Sequence, residues 1–419
     1  MNAQLQAMFS VRGRQIVFPK QGIVSQTRDA TGKKINATVG TATYEGQPIS
    51  LPALQNLLQV LPKDSLGYAS SFGKKELREF WQKKIYRQNP SLGTTSITLP
   101  VVTDGLTHGL NIAGFLFADA GDVLVTSDLH WENYDLIFRD CYGMRIETFP
   151  LFEGGKFHEQ GMKEALKEYA RPARPLLLLL NFPHNPTGYA LSQEEVDEIV
   201  STLYDFATSG HSLVVLVDDA YFGLWYEEEL WRESLFGRLA NLHERILAVK
   251  VDGSSKEDFA WGLRVAFLTY GMKGLAAKDL MTLEEKTAAL IRASVSSVSH
   301  LAQSLLLMAY EAPTYEQEKN GKIAFLKERY FAFKKVLREH PEYEEIFRVL
   351  PCNAGYFVCL QPKAGIDSEA VRKLLLEKYD TGIIADQGIL RVTFASVANS
   401  DFPALFAHIY EAGKSALST

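Results

Sequence analysis

Two short, unbroken apolar runs, Leu176–Leu180 and Leu213–Val217, flank an amphipathic stretch at Gln193–Ala207. Runs this short and this apolar suit buried strands rather than surface helices. The rhythm recurs, with strand-like segments at Ile97–Thr103, Asp122–Thr126, Arg245–Val251 and Leu263–Tyr270 and a further amphipathic stretch at Gly161–Ala170. Such alternation predicts an α/β layered domain on a largely parallel sheet. Ligands of these sheets collect beyond the carboxyl ends of the strands, so the loops there are where chemistry is sought.

Past about Gln303 the pattern changes to long helices, Lys322–Glu339 among them, followed by strand-like Gly355–Leu360 and Gly388–Phe394. That predicts a smaller α+β unit. The segment before about Lys63 has few signals of its own and is expected to pack with it. A chain of 419 residues is too long for one small core. The expected division is a large domain over 64–302 and a small one built from 1–63 and 303–419.

Composition narrows the function classes. A formal net charge of −6 gives no support for nucleic-acid or anionic-membrane binding. No apolar run approaches the length of a membrane span, and Met1 to Gly13 lacks the apolar core of a signal peptide. The three cysteines, Cys141, Cys352 and Cys359, have no metal-site or redox spacing and read as buried free thiols. A cytoplasmic protein is expected.

Three segments carry chemistry. The run Leu213–Val217 ends in Asp218-Asp219-Ala220-Tyr221, placing Asp218 at a strand's carboxyl end. A buried carboxylate needs a cationic partner or a metal. A magnesium-holding aspartate of a nucleotide hydrolase would want a G-x-x-x-x-G-K-S/T loop, and the chain has none. An aspartate pairing with a protonated pyridine nitrogen, or a plain helix N-cap, stays open. The second segment, Asn181-Phe182-Pro183-His184-Asn185-Pro186-Thr187-Gly188, is a sharp turn after the other apolar run, able to hold the Asn185 amide as a donor. The third is Val249-Lys250-Val251-Asp252-Gly253-Ser254-Ser255-Lys256, with Arg264 eight residues on. Beside Glu257 and Asp258, Lys256 reads by default as a surface lysine. Yet it follows a strand and a small-residue turn that lets a ligand approach closely, and Arg264 offers a fork suited to phosphate.

Taken in order, N-P-T-G, D-x-A-Y and the small-residue turn with Lys and Arg resemble the fold type I pyridoxal-phosphate (PLP) enzymes, and within them the class I aminotransferases of the aspartate and aromatic type. The resemblance runs along nearly the whole chain. It implies a mostly parallel seven-stranded sheet between helices plus a smaller α+β domain. It makes Lys256 the catalytic, cofactor-carrying lysine, Asp218 the partner of the pyridine nitrogen, and Asn185 and Tyr221 donors to the ring oxygen. Gly105, Leu106 and Thr107 match the turn whose amides open a helix under the phosphate. Ser254, Ser255 and Arg264 complete that cup, and Trp131 resembles the aromatic residue stacked on the ring. Ile35 to Gly40 resembles a substrate-contacting segment, with Gly40, Trp131 and Asn185 at the substrate. Arg391 matches the arginine gripping the α-carboxylate. Tyr68 matches the tyrosine that reaches the neighbouring subunit's phosphate, which implies a homodimer. Arg292 reads either as the partner-subunit arginine for a distal carboxylate or as a helix-surface residue.

Two departures stand out. Gly253 occupies the position where relatives usually carry a phosphate-binding Ser, leaving Ser254 or Ser255 to compensate. Leu106 stands where polar residues are common. The implied reaction is ping-pong transfer of an amino group between an L-amino acid and a 2-oxo acid, with glutamate and 2-oxoglutarate as one expected half. The alternatives are another PLP reaction (a lyase, decarboxylase or acyl transfer) or a non-catalytic PLP-binding regulator.

Overall fold

The computed structural model describes residues 22–57, 67–171 and 174–417. The strands are β1 (Ile35–Asn36), β2 (Val101–Asp104), β3 (Val123–Ser127), β4 (Arg145–Phe149), β5 (Leu176–Asn181), β6 (Leu213–Asp218), β7 (Ile246–Gly253) and β8 (Val265–Gly271). Seven of them, β2 to β8, form one sheet in the order β2-β8-β7-β6-β5-β3-β4. Neighbours are parallel except at β8, which runs antiparallel to both β7 and β2. Every residue of β5 and β6 is buried, which is why neither shows polar alternation. Each fully buried leucine of β5 contributes about 1.5–3 kcal/mol, so a single Leu178→Asp change would break the core there.

The helices that matter here are α1 (Ile23–Asp29), α2 (Lys75–Gln88), α3 (Gly105–Phe117), α4 (Gln193–Thr208), α5 (Ser254–Glu257), α6 (Ala277–Ser294), α7 (His300–Glu311) and α8 (Tyr315–Glu339). Helix α4 starts at a capping box, with Ser192 accepting from the Glu195 amide while Glu195 accepts from the Ser192 amide. Its buried stripe of Val196, Ile199, Leu203 and Phe206 has the spacing of one helix face. Helix α3 leaves β2 directly and packs on β7 and β8.

A second sheet is built from β9 (Phe347–Val349), β10 (Phe357–Pro362), β12 (Ile384–Asp386) and β13 (Ile389–Thr393), all antiparallel in the order β9-β10-β13-β12. The short β11 (Thr381–Gly382) pairs instead with β1, parallel. The Gln26 side chain bonds both backbone groups of Ala385. The described part of the N-terminal segment is thus tied to strands β11 and β12. The expected division at 63/64 lies outside the described residues, as does Met1 to Gly13.

Three expectations need correction. Strand β4 was not foreseen, because it is an edge strand with four of its five residues exposed or only partly buried. The strand expected from Ile97 begins only at Val101, since Pro100 has no amide to donate. Of the cysteines, none of which is in a disulfide, only Cys359 is buried; Cys141 and Cys352 are half-buried. No helix of the described residues is long and apolar enough to cross a membrane.

Candidate active site

Asn181 and Asp218 end β5 and β6 side by side, in register. The Asn181 amide donates to the Asp218 carbonyl at 2.7 Å, and its oxygen accepts from the Asn185 backbone N–H at 2.8 Å. This clips the Pro183–Pro186 turn to the strand ends and brings the Asn185 side chain to the mouth of a cavity of about 310 Å³. Asp218 is 2% exposed. Its hydrogen-bond donors are neutral, the Tyr134 hydroxyl at 2.7 Å and the Ala220 amide at 3.0 Å. Burial pushes its carboxyl up from the ordinary range, opposed by Tyr134 and by the amine of Lys256. A buried carboxylate in that state favours a cationic donor beside it.

Lys256 projects from the one-turn helix α5 into the same cavity, with Nζ 5.3 Å from the centre of the Tyr221 ring. Burial lowers its pKa; Asp218 opposes the shift and Arg264 adds to it. A lysine so placed has the chemistry of a nucleophile or proton carrier available to it, unlike a solvated surface lysine. Tyr221 is buried, and burial raises its phenol.

At the other end of the cavity the first amides of α3 open beside Arg264. Gly105 has φ +78°, and a Cβ there would lie 1.9 Å from Arg264 Nη2, so only glycine lets the guanidinium sit at the helix start. Helix dipole, amides and cation together form an anion cradle. Leu106, Thr107 and Ser255 line it, and the buried Ser255 hydroxyl has no partner. The other serine weighed for this cup, Ser254, is buried and donates to the Val265 carbonyl at 3.0 Å; it does not line the cavity. Gly253 faces Ala266 across the β7–β8 ladder, where a Cβ would meet Ala266 atoms at 2.7 Å. The departure at this position therefore has a packing cause.

Arg391 lies in the interior strand β13, 4% exposed, not on an edge. Nη2 donates to the Thr38 carbonyl at 3.4 Å, the guanidinium lies 4.7 Å from the Phe357 ring centre, and Nε is buried with no partner. A buried cation with a donor to spare suits an incoming carboxylate.

Eleven of the expected residues line this one cavity: Gly40, Leu106, Thr107, Trp131, Asn185, Asp218, Tyr221, Ser255, Lys256, Arg264 and Arg391. Gly105 adjoins it. Tyr68 does not reach it within its own chain and stands 93% exposed. Arg292, at the end of α6, is exposed and donates to the Ser296 hydroxyl at 2.9 Å. Sequence reasoning missed Tyr134, Asn181, Trp261 and Ile23 at the cavity. Tyr134 carried a signal, since it lies three residues after Trp131. Its ring meets Trp131 edge-on at 5.6 Å.

The residues fit pyridoxal phosphate: an anion cradle, a lysine amine, a buried carboxylate short of a cation and an orphaned Ser255 hydroxyl share one cavity. Fold and site together define a fold type I pyridoxal-phosphate enzyme. The family described as Aminotransferase class I and II matches residues 32–409. The chain belongs to that family and is a pyridoxal-phosphate-dependent aminotransferase. It is similar to an aspartate aminotransferase of Thermotoga maritima, 24% identical over 297 residues, covering 70% of this chain and 72% of the relative. It is also similar to aromatic-amino-acid aminotransferase 2 of Thermococcus litoralis, 27% identical over half of each chain. The crystal structure of an aminotransferase from Anaerococcus prevotii superposes with a TM-score of 0.86 at 25% identity, over 96% of this chain and 98% of that one.

Proposed function

We propose that the cavity assembles a transamination site with Lys256 as its catalytic residue. The observation that carries this reading is that the Lys256 amine, the Asp218 carboxylate and the buried, under-bonded Arg391 guanidinium line one cavity. When bound, pyridoxal phosphate supplies an electron sink for charge developing at the substrate α-carbon. Asp218, pre-set by Tyr134, would pair with the protonated ring nitrogen of the bound cofactor. Asn185 and Tyr221 would donate to the ring oxygen, and Trp131 would pack against the ring. Gly105, Leu106, Thr107, Ser255 and Arg264 would hold the phosphate. Arg391 would fix the substrate α-carboxylate and so turn the α-C–H bond toward the Lys256 amine, whose Nζ would take that proton as a base and later give it up as an acid. Thr38 to Gly40 and, from α1, Ile23 and Thr27 line the same cavity.

For substrates we infer glutamate and 2-oxoglutarate on one half-reaction and aspartate or an aromatic amino acid on the other. The names of the relatives support the aspartate or aromatic side of this reading, and an apolar stretch of wall at Ile23, Val39, Trp261 and Phe357 supports the aromatic one. The exposure of Tyr68 and Arg292 supports a homodimer in which each serves the neighbouring site. A cytoplasmic, biosynthetic role belongs to the same reading, as does the two-domain division at 63/64.

Mixing the purified protein with glutamate and following conversion of the cofactor to its amine form tests the reaction. A visible cofactor band present in the wild type and lost in Lys256→Ala tests the lysine. Cofactor-replete wild-type protein without that band would sink the proposal.

A further inference from the structure

Glu257 and Asp258, which follow Lys256 directly, are 3% and 0% exposed. Glu257 Oε1 accepts from Gln88 at 2.7 Å and pairs with Lys84 at 3.1 Å and Lys319 at 2.5 Å. Asp258 accepts from the hydroxyls of Tyr310 at 2.7 Å and Tyr315 at 2.5 Å, with Lys84 and Lys319 each 3.5 Å away. Two anions and two cations, all buried, therefore clasp the end of α5 from three other helices, α2, α7 and α8. Trp81 backs the cluster, its ring centre 4.1 Å from Lys84 Nζ.

Stability alone is a weak reason for such a cluster, because well-packed apolar side chains of similar volume serve as well or better. Its place is more telling. The Asp258 amide bonds back to the carbonyls of Ser254 and Lys256, and the Tyr356 hydroxyl also reaches the Lys256 carbonyl, at 3.3 Å. Phe259 next in line has φ +55°, and Arg264 has φ +53°. Bulky residues hold left-handed backbone only where their surroundings over-determine it. The charges are thus fastened to the strained turn that sets the direction in which Lys256 leaves the backbone.

We propose that Glu257 and Asp258, held by Lys84, Lys319, Tyr310 and Tyr315, are positioning residues for the Lys256 amine. They touch neither substrate nor cofactor and act through the geometry of α5. The proposal rests on the reading of Lys256 as the cofactor-carrying lysine.

The test uses cofactor-loaded protein and the charge-balanced double variant Glu257→Gln with Lys319→Met, which strands no single buried charge. The expected result is a folded protein whose kcat falls about tenfold or more with KM little changed. The pH midpoint of its cofactor absorbance band is expected to move by about one unit. A variant with altered thermal stability but wild-type kcat and wild-type titration would overturn the proposal. If the double variant does not fold, Tyr315→Phe removes one donor to Asp258. A smaller fall in kcat and a smaller shift of the midpoint are then expected, and wild-type values for both count against the proposal. Absence of the band in wild-type protein would instead remove the reading of Lys256 and the inference with it.

Discussion

The phenol of Tyr134 donates to Oδ2 of Asp218 across 2.7 Å, with both side chains at least 98% buried, so the carboxylate is held in place before any ligand arrives. A hydrogen bond to a charged group contributes about 1.5–3 kcal/mol. In Tyr134→Phe the Asp218 carboxyl, already raised by burial, rises further and pairs less well with a ring nitrogen. The expected outcome is a folded protein whose cofactor dissociation constant is about tenfold or more higher, measured by equilibrium dialysis. Unchanged affinity would separate Asp218 from the cofactor.

Arg391 presents the opposite balance. Its guanidinium is buried with Nε unpaired, a cost carried in the free protein and relieved by a carboxylate. Arg391→Met should therefore keep or raise Tm while lowering kcat/KM for the amino acid by about a hundredfold or more. A large fall in Tm with little loss of activity would mark the arginine as structural.

How much of this the sequence disclosed depended on whether each residue's role was local. The runs Leu176–Leu180 and Leu213–Val217 announced their strands because burial on both faces leaves no alternation to misread. Strand β4, with Arg145 and Thr148 exposed and Glu147 only partly buried, carries no such mark; its place is decided by pairing with β3. Glu257 and Asp258 misled, since charge beside Lys256 argued for a surface, and only the remote Lys84 and Lys319 bury it. Arg391 was legible as a candidate, but its burial depends on β10 and β12 closing over both sides of β13.

Gly253 tests packing against chemistry. Placing here the serine that the family resemblance leads one to expect sets a Cβ 2.7 Å from Ala266 Cα and 2.9 Å from the Val265 carbonyl. Overpacking of this kind costs about 1–3 kcal/mol. Gly253→Ser should lower Tm without tightening cofactor binding. The double variant that also carries Ala266→Gly should recover part of the loss. A tighter, equally stable Gly253→Ser protein would show that the strand pair can part.

His184, in the turn that carries Asn185, is 3% exposed and bonded through its two ring nitrogens to Thr187 and Ser127 at 3.0 and 3.2 Å. Burial lowers its pKa from 6.5 to about 3. Between those values the unfolded chain holds a proton on this ring that the folded protein does not. Stability therefore falls as pH drops through the window from 6.5 to about 3, by up to about 1.4 kcal/mol per pH unit from this group. Glutamine at this position keeps polar atoms for the two hydroxyls but takes up no proton. Urea midpoints measured across that window should thus fall less steeply in His184→Gln than in the wild type, whatever the carboxylates contribute to both. Parallel slopes would mean that the ring takes up its proton in the folded turn as readily as in the unfolded chain.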